Sequence, residues 1–184
     1  MKLLAFAVVA ALAAPAAADK YQIDPMHSSV TFTVRHLVTK VHGTFRTVSG
    51  TFDYDDAKSK GSAVDVKIDP ASVDTNVEKR DAHLKSDAFF DVAKCPEMSF
   101  KSTKAFIKNG KGSMTGDLTM HCVTKPVTLA LEIGGVTKDP KMGERFGASA
   151  TGKLNRQDWG VSYGKGMVGD DVNIEIDVEA TPAQ

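Results

Sequence analysis

Apolar and polar residues alternate with a period of two along most of this chain. Val30, Phe32, Val34 and His36 share one parity, and Ser29, Thr31, Thr33 and Arg35 share the other. Side chains of a strand point alternately to its two faces, so this pattern predicts a strand with one apolar face. The same reading holds for Val64-Val66-Ile68, Met98-Phe100, Leu118-Met120, Val127-Leu129-Leu131-Ile133 and Val172-Ile174-Ile176-Val178. In residues 144–154, Phe146, Ala148, Ala150, Gly152 and Leu154 share a parity. In residues 43–54, Phe45 is out of step with Val48, Phe52 and Tyr54, which predicts a bulge near Ser49-Gly50. About eight strands result. Asn109-Gly110 is a hairpin signal, and Gly134-Gly135 and Asp139-Pro140 are expected to break the chain. The fold class expected is all-β: an eight-stranded antiparallel β-barrel, which leaves no sheet edge exposed, with a two-sheet sandwich as the alternative.

One segment departs from this period. Thr75 followed by Glu78 reads as a capping box, and Val77, Arg80, Asp81 and Leu84 recur at helical spacing. They predict one short helix at about 76–86, lying over a barrel mouth.

The first residues follow neither pattern. Lys2, an apolar run from Leu3 to Leu12 and the small residues Ala16-Ala17-Ala18 have the order of a cleavable export signal. Cleavage is expected between Ala18 and Asp19, leaving 19–184 as one domain in the periplasm. The chain carries 23 basic and 23 acidic side chains. Losing Lys2 with the leader tips that balance by one negative charge. Neither nucleic acid nor a polybasic membrane contact is suggested, and beyond the leader no stretch is long and apolar enough to span a bilayer.

Eight strands enclose either a packed core or room for one small ligand. The small residues Ala148, Ala150 and Gly152 leave volume, and Met98, Met114 and Met120 would make an adaptable apolar wall. Large residues opposite the small ones would fill the same space, so the pattern alone leaves a cavity and a solid core both open. The five histidines form no compact metal signature. His27-Ser28 lacks the elbow of a hydrolase nucleophile and reads as a strand entry. No catalytic or metal-ligating residue is assigned. Arg80-Asp81-x-His83 is the densest polar cluster; Arg80 and Asp81 suit an ion pair anchoring the helix. Trp159 is expected to pack across a barrel end, and Lys138, Lys141, Glu144 and Arg145 to form a solvated loop.

The order of motifs resembles the YceI-like family over essentially the whole chain after the leader. The matching segments include Tyr21-Gln22-Ile23-Asp24-Pro25, His27-Ser28, Gly43-Thr44-Phe45, Arg80-Asp81-x-His83-Leu84-Lys85-Ser86, Val123-Thr124-Lys125-Pro126, Arg156-x-Asp158-Trp159-Gly160 and Val168-Gly169-Asp170-Asp171-Val172. The resemblance implies a lipocalin-like barrel that binds a polyisoprenoid or other lipid-like chain, such as an isoprenoid quinone or fatty-acid derivative, with no other cofactor. It implies no shared catalytic residue, and leaves room for a homodimer. The inward parity then nominates Phe32, Val34, His36, Phe52, Phe100, Leu118, Met120, Leu129, Ala148 and Ala150 as ligand-binding residues. Arg80, His83 and Lys85 are candidate headgroup contacts. Two other functions remain open: a stress-related structural or protein-interaction barrel, and an accessory presenting a quinone to a redox partner.

The chain departs from the family's pattern at two cysteines. Cys95 precedes Pro96 where an aromatic residue is common, and Cys122 precedes Val123 where glycine is common. If Lys108 faces Lys111 across Asn109-Gly110, Cys95 and Cys122 fall within about two residues of opposition. An oxidising compartment permits the bridge, and two separate buried thiols are the alternative.

Overall fold

The computed structural model describes residues 19–54 and 62–183. The leader reading falls on residues 1–18 and so lies outside the described residues. The strands are β1 (Asp19–Ile23), β2 (Ser29–His36), β3 (Thr39–Phe45), β4 (Val48–Tyr54), β5 (Ala63–Ile68), β6 (Val73–Asp74), β7 (Met98–Lys108), β8 (Lys111–Met120), β9 (Val123–Asp139), β10 (Gly143–Asn155) and β11 (Val168–Pro182). One helix, α1 (Glu78–Lys85), interrupts them.

Antiparallel pairing runs β1-β4-β5-β7-β8-β9-β10-β11 and closes through β11–β1. This is an eight-stranded barrel. The hairpin β2–β3 extends one wall: β11 pairs with β1 near Ala180 and with β2 from Asp177 to Val168. The pairs Tyr21↔Phe52 and Val30↔Phe45 continue the same hairpin across a two-residue offset. β1 with β2, and β3 with β4, therefore act as two long bent strands.

Three local expectations are corrected. The parity switch in 43–54 falls at Arg46-Thr47, between β3 and β4, and not at Ser49-Gly50. There Thr47 N–H donates to the Ser72 hydroxyl at 3.0 Å, off the sheet ladder. Gly134-Gly135 does not break the chain. β9 passes through it with a bulge, its pairing shifting from Gly147↔Gly135 to Ala148↔Ile133, because one extra residue in a strand is absorbed by extra twist. Lys138, Glu144 and Arg145 are not loop residues: Lys138 is exposed in β9, and the other two sit half-buried in β10, where Glu144 accepts a hydrogen bond from Tyr21 at 3.0 Å and Arg145 pairs with Glu179 at 3.0 Å.

Two of the tight hairpins use left-handed backbone at both central positions. Asn109 and Gly110 have φ of 53° and 74°, and His121 and Cys122, between β8 and β9, have 50° and 59°. Positive φ at both central residues matches the right-handed strand twist. The second turn adopts it without glycine. Cys122 is bonded there to Cys95, with 5.4 Å between their Cα atoms. The register explains the contact: β7 and β8 pair through Lys108↔Lys111, and a bulge between Ser102 and Lys104 shifts the remaining pairs by one toward the cysteines.

The capping box expected at Thr75 does not form. Val77 is the N-cap and makes no side-chain cap bond. Asn76 takes φ 62°, which turns Thr75 away from the first helical turn. Thr75 is instead gripped from α1: its N–H and hydroxyl bond the Asp81 carboxylate, and Arg80 donates to its hydroxyl and its carbonyl, each at 2.7 Å. Arg80 and Asp81 thus anchor the helix through a shared threonine.

Candidate ligand-binding cavity

The barrel interior is neither solid nor a single room. Part of the volume left by small residues is filled: a Cβ at Gly152 would lie 2.5 Å from Leu129, and one at Gly43 would strike the ring of Phe32. The rest forms two chambers, of about 140 Å³ inside the barrel and about 260 Å³ under α1. Phe45, Met120, Leu154 and Ile174 line both, so the chambers meet there. Along β11, Val172 and Ile174 line the outer chamber, and Ile174, Ile176 and Val178 the inner. At ~3.3 Å per residue these positions span about 20 Å of strand.

The inner chamber has walls of aliphatic and aromatic carbon. Phe52, Phe100, Leu118, Leu129, Ala148 and Ala150 stand here. At its far end, Phe146 packs 5.1 Å from Tyr21, 5.9 Å from Phe52 and 4.9 Å from Tyr54. Burial and the hydrogen bond to Glu144 push the Tyr21 phenol up to about 12, so it stays neutral across the physiological range.

The outer chamber is mixed. β2 contributes Phe32, Val34 and His36, α1 contributes Arg80, His83 and Leu84, and Met120 forms its floor. Its roof is the segment after α1, where Phe89 and Phe90 follow tight turns from Ser86 to Cys95. The disulfide ties the end of this roof to the β8–β9 turn. His83 is exposed, its ring edge-on 5.1 Å from Phe89 and 4.7 Å from Tyr163. Every residue nominated from the inward parity thus lines one chamber or the other, and of the three headgroup candidates Arg80 and His83 line the outer chamber while Lys85 does not.

Two cations face this chamber with different freedom. Arg156 is 4% exposed. Its five N–H groups go to the carbonyls of Gly169, Val161, Tyr163 and Val168 and to the Asp170 carboxylate. That is the full donor capacity of a guanidinium, so Arg156 builds the loop between Gly160 and Asp170 and has no donor left for a ligand. Burial pulls its pKa below the ordinary value while Asp170 opposes the shift. Arg80 gives Nε and one Nη2 hydrogen to Thr75, which leaves donor capacity on the same guanidinium. Sequence reasoning missed Arg156 as a wall residue. Its signal was the Arg156-x-Asp158-Trp159-Gly160 motif, in which only Trp159 was given a role, in packing. Trp159 does pack: it is buried in the core and donates to the Leu118 carbonyl at 3.0 Å.

His27 and Ser28 lie apart from both chambers' linings. Ser28 exchanges hydrogen bonds with the Glu179 backbone, and His27 Nδ1 sits 2.8 Å from Asp24. Among the described residues no helix is long and apolar enough to cross a membrane.

Known proteins share this architecture. Residues 21–180 match the model of the YceI-like domain. The chain is 38% identical over 179 residues to Protein YceI of Escherichia coli O157:H7, covering 96% of this chain and 94% of that one. Among solved structures, the Campylobacter jejuni YceI protein superposes with a TM-score of 0.74 at 40% identity, over 82% of this chain and 90% of the other. A polyisoprenoid binding domain from Saccharophagus degradans superposes with a TM-score of 0.68 over 90% of this chain and 99% of the other. At 12% identity that likeness shows the fold alone.

Proposed function

The chain belongs to the YceI-like family, and from that premise we propose that it is a periplasmic carrier or buffer for a single long apolar ligand, a polyisoprenoid, isoprenoid quinone or fatty-acid derivative. The observation that carries this reading is the pair of adjoining chambers, the inner lined by apolar side chains and the outer carrying Arg80 and His83 from α1. A hydrocarbon chain in the inner chamber loses its contact with water, each buried methylene contributing about 0.8 kcal/mol. The polar terminus then rests in the outer chamber, where Arg80 retains N–H donors and His83 and His36 line the wall. The name of the Saccharophagus degradans domain supports the same ligand class. Family and fold point to binding, and no side chain is assigned a chemical step.

A barrel closed by hydrogen bonds on all eight strands cannot load through its wall. Entry therefore proceeds through the outer chamber, by movement of α1 and the Phe89-Phe90 roof. Native mass spectrometry of the protein purified from its own periplasm, followed by organic extraction, tests the reading. The expected result is a stoichiometric non-covalent mass that extracts as a lipid or prenyl chain. An apo mass that takes up none of the fatty acids, quinones or isoprenoids offered would overturn it, in favour of a protein-interaction barrel.

A further inference from the structure

The rim of the outer chamber carries large apolar side chains turned to water. Val38 is 95% exposed, Leu37 51%, Met167 50% and Tyr163 48%. Leu37 and Val38 form the tip of the β2–β3 hairpin. Met167 and Tyr163 belong to the loop that Arg156 holds, and both line the chamber itself. The two parts of the rim are joined: Leu37 N–H donates to the Met167 carbonyl at 2.8 Å. The tip is therefore held out by its hydrogen bonds rather than folded inward.

The unpaired charges on the β2–β3 tip and on the loop that Arg156 holds are basic. Arg35 and Lys40 stand directly opposite each other across the hairpin, an arrangement that disfavours the hairpin unless an anion lies nearby. Exposed Lys165 stands two residues before Met167. Among the described residues none of these three is in an ion pair. The neighbouring acids are already engaged, Asp170 with Arg156 and Asp171 with Lys153. At the opposite end of the barrel, near the exposed Val136, Lys138 is paired with Glu144 and Lys111 with Glu132.

We infer that the Leu37-Val38 tip, with Met167 and Tyr163, docks onto the surface of an anionic phospholipid bilayer, which Arg35, Lys40 and Lys165 attract. Apolar side chains enter the headgroup boundary while the cations meet lipid phosphates. This places the mouth of the outer chamber against the bilayer, so an apolar ligand passes between membrane and cavity without crossing water. The inference rests on the carrier reading only for what is transferred; the surface itself is a property of the rim.

Co-sedimentation of the mature chain with phosphatidylcholine vesicles, with and without phosphatidylglycerol, tests it. Binding is expected to the anionic vesicles and to weaken with salt. Val38→Asp is expected to abolish it. Lys40→Glu combined with Lys165→Glu should reduce it by at least roughly ten-fold, since each basic residue at such a surface is worth about five-fold. Val136→Asp, at the other end, should leave it unchanged. Uptake of a fatty acid offered without vesicles should be equal in wild type and Val38→Asp, which also shows the variant folded. Failure to bind anionic vesicles, or equal binding by Val38→Asp, would overturn the docking surface and point to a protein partner. Docking by a protein that takes up no ligand would sink the carrier reading and leave the docking surface standing.

Discussion

At the aromatic end of the barrel, rings carried by the strands pack on one another; at the helix end, the cover is a helix with no buried residue and a roof whose Phe89 ring touches the exposed His83 and Tyr163. Tyr21, Phe146 and Ala180 are fully enclosed where β1, β10 and β11 meet, and Phe146 touches three other rings. At the other end α1 has no buried residue, and its anchor is polar: Thr75 held by Arg80 and Asp81. The roof beyond it is tied down by one disulfide. Packing density sets local rigidity. The contrast is between a barrel end fixed by its own rings and one held by polar contacts and a disulfide, which is the end where the proposed ligand would enter.

Core truncation gives the largest contrast. Phe146→Ala should cost about 3–5 kcal/mol, read as the shift in urea midpoint, whereas Phe89→Ala in the roof should cost less and chiefly shorten ligand residence. Equal costs would break the distinction between the ends. Removing the bridge with Cys95→Ala and Cys122→Ala comes next. Its sequence separation of 27 corresponds to about 3–4 kcal/mol of chain entropy. Hydrogen exchange should rise in residues 86–97 and at the β8–β9 turn while β10 and β11 stay protected. Acceleration spread evenly over the barrel would mean that the roof is not a separate unit.

Arg80→Gln should change stability by no more than about 1.5 kcal/mol, as two hydrogen bonds to Thr75 weaken. It should lower affinity for a carboxylate- or phosphate-headed ligand about ten-fold and leave a neutral ligand of equal chain length unaffected, in paired titrations. A matching loss for both ligands would assign Arg80 to structure alone.

The smallest effect is on pH dependence, at a site away from both chambers. The hydrogen bond to Asp24 raises the His27 pKa above 6.5, and the bond from His27 lowers that of Asp24 below 3.8. The His27 contribution is complete below pH 6.5 and is lost as pH rises through its raised value. The Asp24 contribution is present above pH 3.8 and is lost as pH falls through its lowered value. Melting temperature against pH should therefore show a shallow plateau between these limits. His27→Gln should remove the decline on its alkaline side; if the decline survives, it belongs to another group.

Strand positions and the inward face were written in the period-two pattern, because a residue's parity decides its side of a pleated strand. Phe100, Leu129 and Ala150 could be placed in the interior for that reason, and hairpin register brought the cysteines within about two residues of opposition while leaving two free thiols as the alternative. Where a bulge intervened, parity could mark that a switch occurred but misplaced it, at Arg46-Thr47, because bulges depend on partners from distant strands such as Ser72. The capping box failed for a similar reason: Thr75 had a better partner in Asp81 than in the helix start.

The alternation of sizes could not decide between a filled and a hollow barrel. That depends on whether Leu129 occupies the space beside Gly152 and whether anything does so at the join between the chambers, and such answers exist only once eight strands curve toward one axis. Nor could it distinguish Arg156 from Arg80. Arg80 was a candidate headgroup contact and Arg156 stood only in a motif of the family resemblance, and only the closed loop of carbonyls around Arg156 shows that it is the saturated one. Local periodicity determined which side chains face inward; the volume they leave, and the donors still unused there, were decided by tertiary contacts between residues far apart in the chain.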